Sequence, residues 1–270
     1  GIGVDCSPVC HPVTVQDGSR KAIVAAFAAN LGIAVAKFVG FLLTRSAGLL
    51  AESVHSVADT GNQGLLMLGH RRSRRAEDER FPFGHGRERY FWSFVVALVL
   101  FTLGGVFALI EGIQKILHPH ETDNLAVAVG ILGVAIVLES LSLRTAMAEA
   151  RRIKPPDQSW FTFVRSAKEP ELPVVLLEDV GAELGLAFAL TGVILGHATD
   201  EPRWDAAGSI AIGILLVVIA AFLVVEMKSL LIGESASPAD QQLVRAAVLG
   251  EPSVRRIIHA RTVHLSPDEV

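Results

Sequence analysis

The chain has 270 residues, 51% hydrophobic and 19% charged, a balance that exceeds what a water-soluble domain of this length carries. Two cysteines exclude a disulfide framework, and a formal net charge of −4 singles out no partner. No nucleic-acid partner is expected. The distribution of apolar residues is more informative than their number, because they gather in blocks of about 20, the length a helix needs to cross about 30 Å of hydrocarbon.

Residues 1–21 form a polar leader containing Cys6, Cys10 and His11, a C-x3-C-H grouping that signals metal only weakly in a segment expected to be disordered. Six apolar stretches follow, at Ala22–Leu43, Gly48–Leu68, Phe91–Ile116, Leu125–Ala146, Leu172–Leu195 and Ala206–Ile232. The first is too long for a signal-peptide core of about 7 to 15 residues and is expected to remain in the membrane. An even count places both termini on one side. The segment between the second and third stretches holds Arg71, Arg72, Arg74, Arg75, Arg80, Arg87 and Arg89, and that between the fourth and fifth holds Arg151, Arg152, Lys154, Arg165 and Lys168. The opposite connections hold little beyond Arg45 and Arg203, so the termini are expected on the cytosolic (or matrix) side of a bacterial inner or organelle membrane.

Beyond the sixth stretch, Gln241–Leu249 reads as a short helix and Val254–Leu265 as a strand. A unit of about 40 residues cannot bury an adequate core alone. The expected fold is therefore an all-α membrane protein, a six-helix bundle over 22–232, followed at 233–270 by the start of a small α+β domain that reads as truncated.

An ionisable group inside a membrane span is costly and usually lines a cavity or ion path. The second stretch carries Glu52, His55 and Asp59, and the four-residue spacing of the last two sets them on one helix face. An imidazole and a carboxylate suit a borderline ion such as zinc, although the pair also fits a simple hydrogen bond to each other or to a neighbouring helix. The fifth stretch carries Glu178, Asp179 and Glu183. Asp179 and Glu183 share a face, while Glu178 is turned by about 100° toward a different partner. A cation between the second and fifth helices offsets the accumulated negative charge. Asn30, Glu111, Glu139 and Ser140 are expected to make interhelical hydrogen bonds, and Asp205 to cap the helix it opens. Gly104, Gly105, Gly208 and Gly213 are expected to allow close helix packing.

Three segments carry a resemblance to a known family: Ser46-Ala-Gly-Leu-Leu-Ala-Glu-Ser-Val-His55-Ser-Val-Ala-Asp59, Phe83-Gly-His85-Gly-Arg87, and Asp205-Ala-Ala-Gly-Ser-Ile-Ala-Ile-Gly213. Together they resemble the cation diffusion facilitators (solute carrier family 30). Arg87-Glu-Arg-Tyr-Phe-Trp-Ser93 and the stretch from Arg165 to Asp179 are similar to the zinc transporter 9-like branch. The resemblance implies a homodimer with six spans and a cytosolic ferredoxin-like domain, exchanging a divalent metal for protons.

The family's site pairs H/D-x3-D on the second helix with H/D-x3-D on the fifth, so His55, Asp59 and Asp179 carry over. The place four residues before Asp179 is Val175, which leaves Glu183, Glu178 or water to complete the set. Asp78 and His85 fall where a second metal binds in relatives, with Phe81 in place of another ligand; His259 and His264 are expected at the surface. Zinc is the first expectation for the transported ion, with manganese, iron(II) and cobalt as alternatives. Two further readings are a non-transporting membrane scaffold of the same fold and a membrane metallohydrolase, the latter weakened by the lack of an H-E-x2-H helix.

Overall fold

The computed structural model describes residues 18–119, 124–267 and 269–270; Cys6, Cys10 and His11 lie outside them. Six long helices dominate: α1 (Gly18–Thr44), α2 (Ala47–Ser73), α3 (Glu88–Leu117), α4 (Leu125–Ile153), α6 (Glu171–Thr199) and α7 (Arg203–Ile232). Two short ones, α5 (Trp160–Ser166) and α8 (Pro238–Gly250), complete the set among the described residues. Every apolar stretch lies within one long helix. Several helices run beyond the apolar block, because basic residues complement the dipole at a helix end. His70, Arg71 and Arg72 occupy the last turn of α2, and Arg151 and Arg152 that of α4. Serine caps set three starts, with Ser46, Ser159 and Ser237 accepting from the amides of Leu49, Thr162 and Asp240. Since α1 begins at Gly18, the expected leader boundary at residue 21 falls inside a helix.

By length and composition, α3, α4 and α7 can each cross a membrane. Val134, Val137 and Leu141 of α4 are all more than half exposed, as are Val218 and Val225 of α7. Their spacing puts each set on one helix face, an apolar stripe of the kind that a membrane or another apolar surface covers. Leu49, Val96, Leu100, Leu132, Leu186, Ile212, Leu216 and Leu223 form the interior, drawn from α2, α3, α4, α6 and α7.

Close backbone approach binds α7 to its neighbours. A Cβ on Gly213 would lie 2.8 Å from the Leu109 amide of α3, and one on Gly208 would lie 2.8 Å from the Phe188 carbonyl of α6, so the small residues act at helix contacts as expected. Within α3, Leu100–Val106 widens to a π-helix, an irregularity that often accompanies functional sites. It sets Gly104 beside the buried ring of His55.

Two expectations are corrected. Val254–Leu265 forms no strand: among the described residues there is only an isolated bridge between Ser266 and Glu269. A strand needs a neighbour to satisfy its backbone, and none lies alongside it there. His264 is buried rather than at the surface, with its amide donating to the Glu234 carbonyl at 2.9 Å, whereas His259 is exposed. Asp205 sits in the first turn of α7, where its charge complements the helix dipole, and it also ties that turn to two neighbouring helices. Its carboxylate accepts from Ser46 Oγ (2.8 Å) and the Ala47 amide (2.8 Å) at the start of α2, and pairs with Lys115 Nζ of α3 at 2.6 Å. One buried acid thus locks the ends of three helices together.

Candidate metal site

The four-residue spacing on α2 does what helix geometry requires: His55 Nδ1 lies 3.4 Å from Asp59 Oδ1. His55 is completely buried, and among the described residues neither ring nitrogen has a hydrogen-bond partner. A buried polar group without a partner is uncommon and costs about 1–3 kcal/mol. Asp59 turns outward from this pair into a cleft of about 30 Å³ between α1, α2, α4 and α6. Glu139, Ser142, Val175, Glu178 and Asp179 share its walls.

The fifth apolar stretch, now α6, divides its three acids. Glu178 and Asp179 both face the cleft; Glu178 accepts from Asn62 Nδ2 of α2 at 2.7 Å, and Asp179 from Ser142 Oγ of α4 at 3.2 Å. Glu183 lies one turn further on and does not line the cleft; its carboxylate accepts from Ser140 of α4 at 2.8 Å. The structure therefore brings Asp59, Asp179 and Glu178 to one cavity, with His55 behind Asp59 and Glu183 aside. Among the described residues, no three His, Cys, Asp or Glu side chains are grouped closely enough to hold an ion. Ligation there requires side-chain or helix movement.

The loop between α2 and α3 brings His85 Nε2 and Asp78 Oδ2 to 3.8 Å. Asp78 also accepts from the amides of Arg80 and Phe81, and the Phe81 ring packs on His85 with centroids 4.7 Å apart. This is a pair of groups within a structured turn.

Some residues escaped the sequence reading. Lys37, in the middle of α1, is fully buried and donates to Ser56 Oγ (2.7 Å) and Glu52 Oε2 (3.2 Å) of α2. Its signal was plain, an ammonium inside an apolar stretch that demands an acid nearby. Asn62 and Ser142, which hold the two α6 carboxylates, give no such signal, because uncharged polar side chains are common in spans. Asn30 and Glu139, expected only to hydrogen-bond between helices, line the cleft.

Long apolar helices around an acid-lined interhelical cleft are the features of an integral membrane protein. Residues 23–232 match the cation efflux transmembrane domain, and the chain belongs to that family. It is 32% identical over 254 residues to the human proton-coupled zinc antiporter SLC30A9, mitochondrial, covering 94% of this chain and 45% of that protein. The mouse protein of the same name is 33% identical over the same length and shares. Metal tolerance protein C4 of Arabidopsis thaliana is 30% identical over 252 residues, covering 92% of this chain and 55% of that one. The chain thus spans about half the length of these relatives.

Proposed function

We propose that the chain is a secondary transporter that carries a divalent metal ion, zinc first among the candidates, across a membrane in exchange for protons. One observation carries the reading: a fully buried imidazole with no hydrogen-bond partner among the described residues stands beside Asp59, and Asp59 opens into a cleft it shares with Asp179 of another helix. His55, Asp59 and Asp179 are the assigned ligands, with Glu178 in reach and Glu183 one turn away. Manganese, iron(II) and cobalt suit the same O/N donors. Relatives named as zinc antiporters and a metal tolerance protein support metal as the cargo.

In this reading all six long helices span the membrane. At a rise of about 1.5 Å per residue, the 27 residues of α1 and of α2 and the 29 of α6 each exceed the hydrocarbon thickness. Residues 22–232 then form the transmembrane domain, and 233–270 a cytosolic segment that docks in a homodimer, with both termini on the cytosolic side. The Asp78–His85 pair is an auxiliary cation contact at the cytosolic mouth.

The ion enters between α2 and α6, sheds most of its water and is taken by deprotonated carboxylate and neutral imidazole. Protons compete for those same atoms, and this competition couples the two fluxes. Rocking of one helix group against the other exposes the site to each side in turn. Asp59→Ala should lower zinc-driven proton flux in proteoliposomes by about 10- to 100-fold or more while leaving the protein folded. Wild-type flux would refute the reading.

A further inference from the structure

Lys37 reaches the transport cleft from behind. Its two close contacts, Ser56 and Glu52, flank His55 on α2. Its third neighbour is Glu139 of α4, with Nζ 3.6 Å from Oε1. That distance exceeds a hydrogen bond, so this contact is the loosest of the three. Glu139 is also a wall of the cleft, together with Asp59, Glu178, Asp179 and Val175. Its side chain is only 16% exposed, so it is turned inward rather than toward lipid. Val175 is the aliphatic wall residue four positions before Asp179 and offers no donor.

We propose that Glu139 is a further metal-contacting residue, supplied by α4 where Val175 has nothing to give, and that Lys37 is the positioning residue that holds its carboxylate until the ion arrives. The inference rests on the transport reading above. Charge supports it: one ammonium faces an excess of carboxylates around the cleft, and a divalent ion offsets what Lys37 cannot. Space supports it as well. A cavity of about 30 Å³ exceeds the roughly 10–15 Å³ that one water-sized occupant needs, room for an ion stripped of most of its hydration. Lys37 stays anchored by Ser56 and Glu52 when Glu139 leaves it, so the exchange requires one carboxylate to move and no helix to unfold.

Metal flux by the chain in proteoliposomes, resolved into KM and kcat, tests this with two variants of opposite sign. Glu139→Gln removes a ligand and should raise KM for zinc about 10- to 100-fold. Lys37→Gln combined with Glu52→Gln frees Glu139 without stranding an extra charge; it should lower KM by on the order of 10-fold and slow release, reducing kcat. A purely structural cluster moves both variants the same way, and that result, or an unchanged KM in Glu139→Gln, overturns the proposal. If the double variant does not fold, Glu139→Asp decides. Its shortened carboxylate should raise KM with thermal stability retained, and an unchanged KM counts against the inference. Asp59→Ala separates the two levels: retained flux defeats the transport reading itself, whereas lost flux beside a normal Glu139→Gln defeats only the role of Glu139.

Discussion

Asp205→Asn isolates the lock at the ends of α2, α3 and α7. The native carboxylate satisfies Ser46 Oγ, the Ala47 amide and the Lys115 ammonium at once, all in a buried setting. An asparagine keeps one oxygen and turns an NH2 group toward one of those donors, while the Lys115 side chain, 0% exposed, loses its counter-charge. Removing one partner of a buried ion pair costs about 3–5 kcal/mol. Losing a helix cap costs about 0.5–2 kcal/mol, and because the same atoms serve both roles the two do not add. The expected loss is therefore about 3–5 kcal/mol. Lys115→Met should cost less, since Asp205 keeps its hydroxyl and amide donors and the favourable start of α2. The double variant should be more stable than the sum of the singles by at least about 1 kcal/mol. Denaturant titration of the purified protein in detergent, followed by far-UV circular dichroism, measures all three. An Asp205→Asn variant as stable as wild type, or strictly additive singles, would show that the pair is not coupled.

Val175→His restores an imidazole four residues before Asp179 on the cleft wall and should shift metal preference toward zinc in a competition flux assay; an unaltered profile would mean that this face of α6 does not meet the ion. Gly213→Val forces a branched side chain against the Leu109 backbone, where even a Cβ lies 2.8 Å from the amide. It should cost about 1–3 kcal/mol or more, read as a lowered Tm. Burial tends to raise the Glu234 carboxyl, but hydrogen bonds from Lys168 and Ser229 and the charges of Lys168 and His264 outweigh it and hold the group below its ordinary value of 4.5. A depressed folded-state value stabilises the protein above the unfolded value, and that stabilisation is lost as pH falls through the folded one. The stability gap between wild type and Glu234→Gln should accordingly be present at neutral pH and close in acid below about 4.5; a gap constant across that range would contradict the Lys168–Glu234 contact.

The long helices were legible because an apolar stretch gives a cumulative signal. About 20 apolar residues with polar ends leave few alternatives; each of the six stretches falls in one long helix, and among the described residues three of those helices are long and apolar enough to cross a membrane. The site was less legible because it depends on contacts between helices far apart in sequence. A spacing of four puts Asp179 and Glu183 on one face of α6, yet only Asp179 reaches the cleft, since Ser140 of α4 draws Glu183 aside. Asp205 shows the same limit: its place in the first turn of α7 is legible, but its contact with the Ala47 amide at the start of α2, 158 residues earlier, is not. Lys37 marks where more could have been read. An ammonium within an apolar span implies an acidic partner on physical grounds alone, and following that requirement leads to Glu52 and Glu139, and through Glu139 to the cleft. Ionisable residues in spans are therefore best read as a set whose charges must balance, and on the proposed reading the carboxylates left over after Lys37 is paired are the charge that a divalent ion would offset.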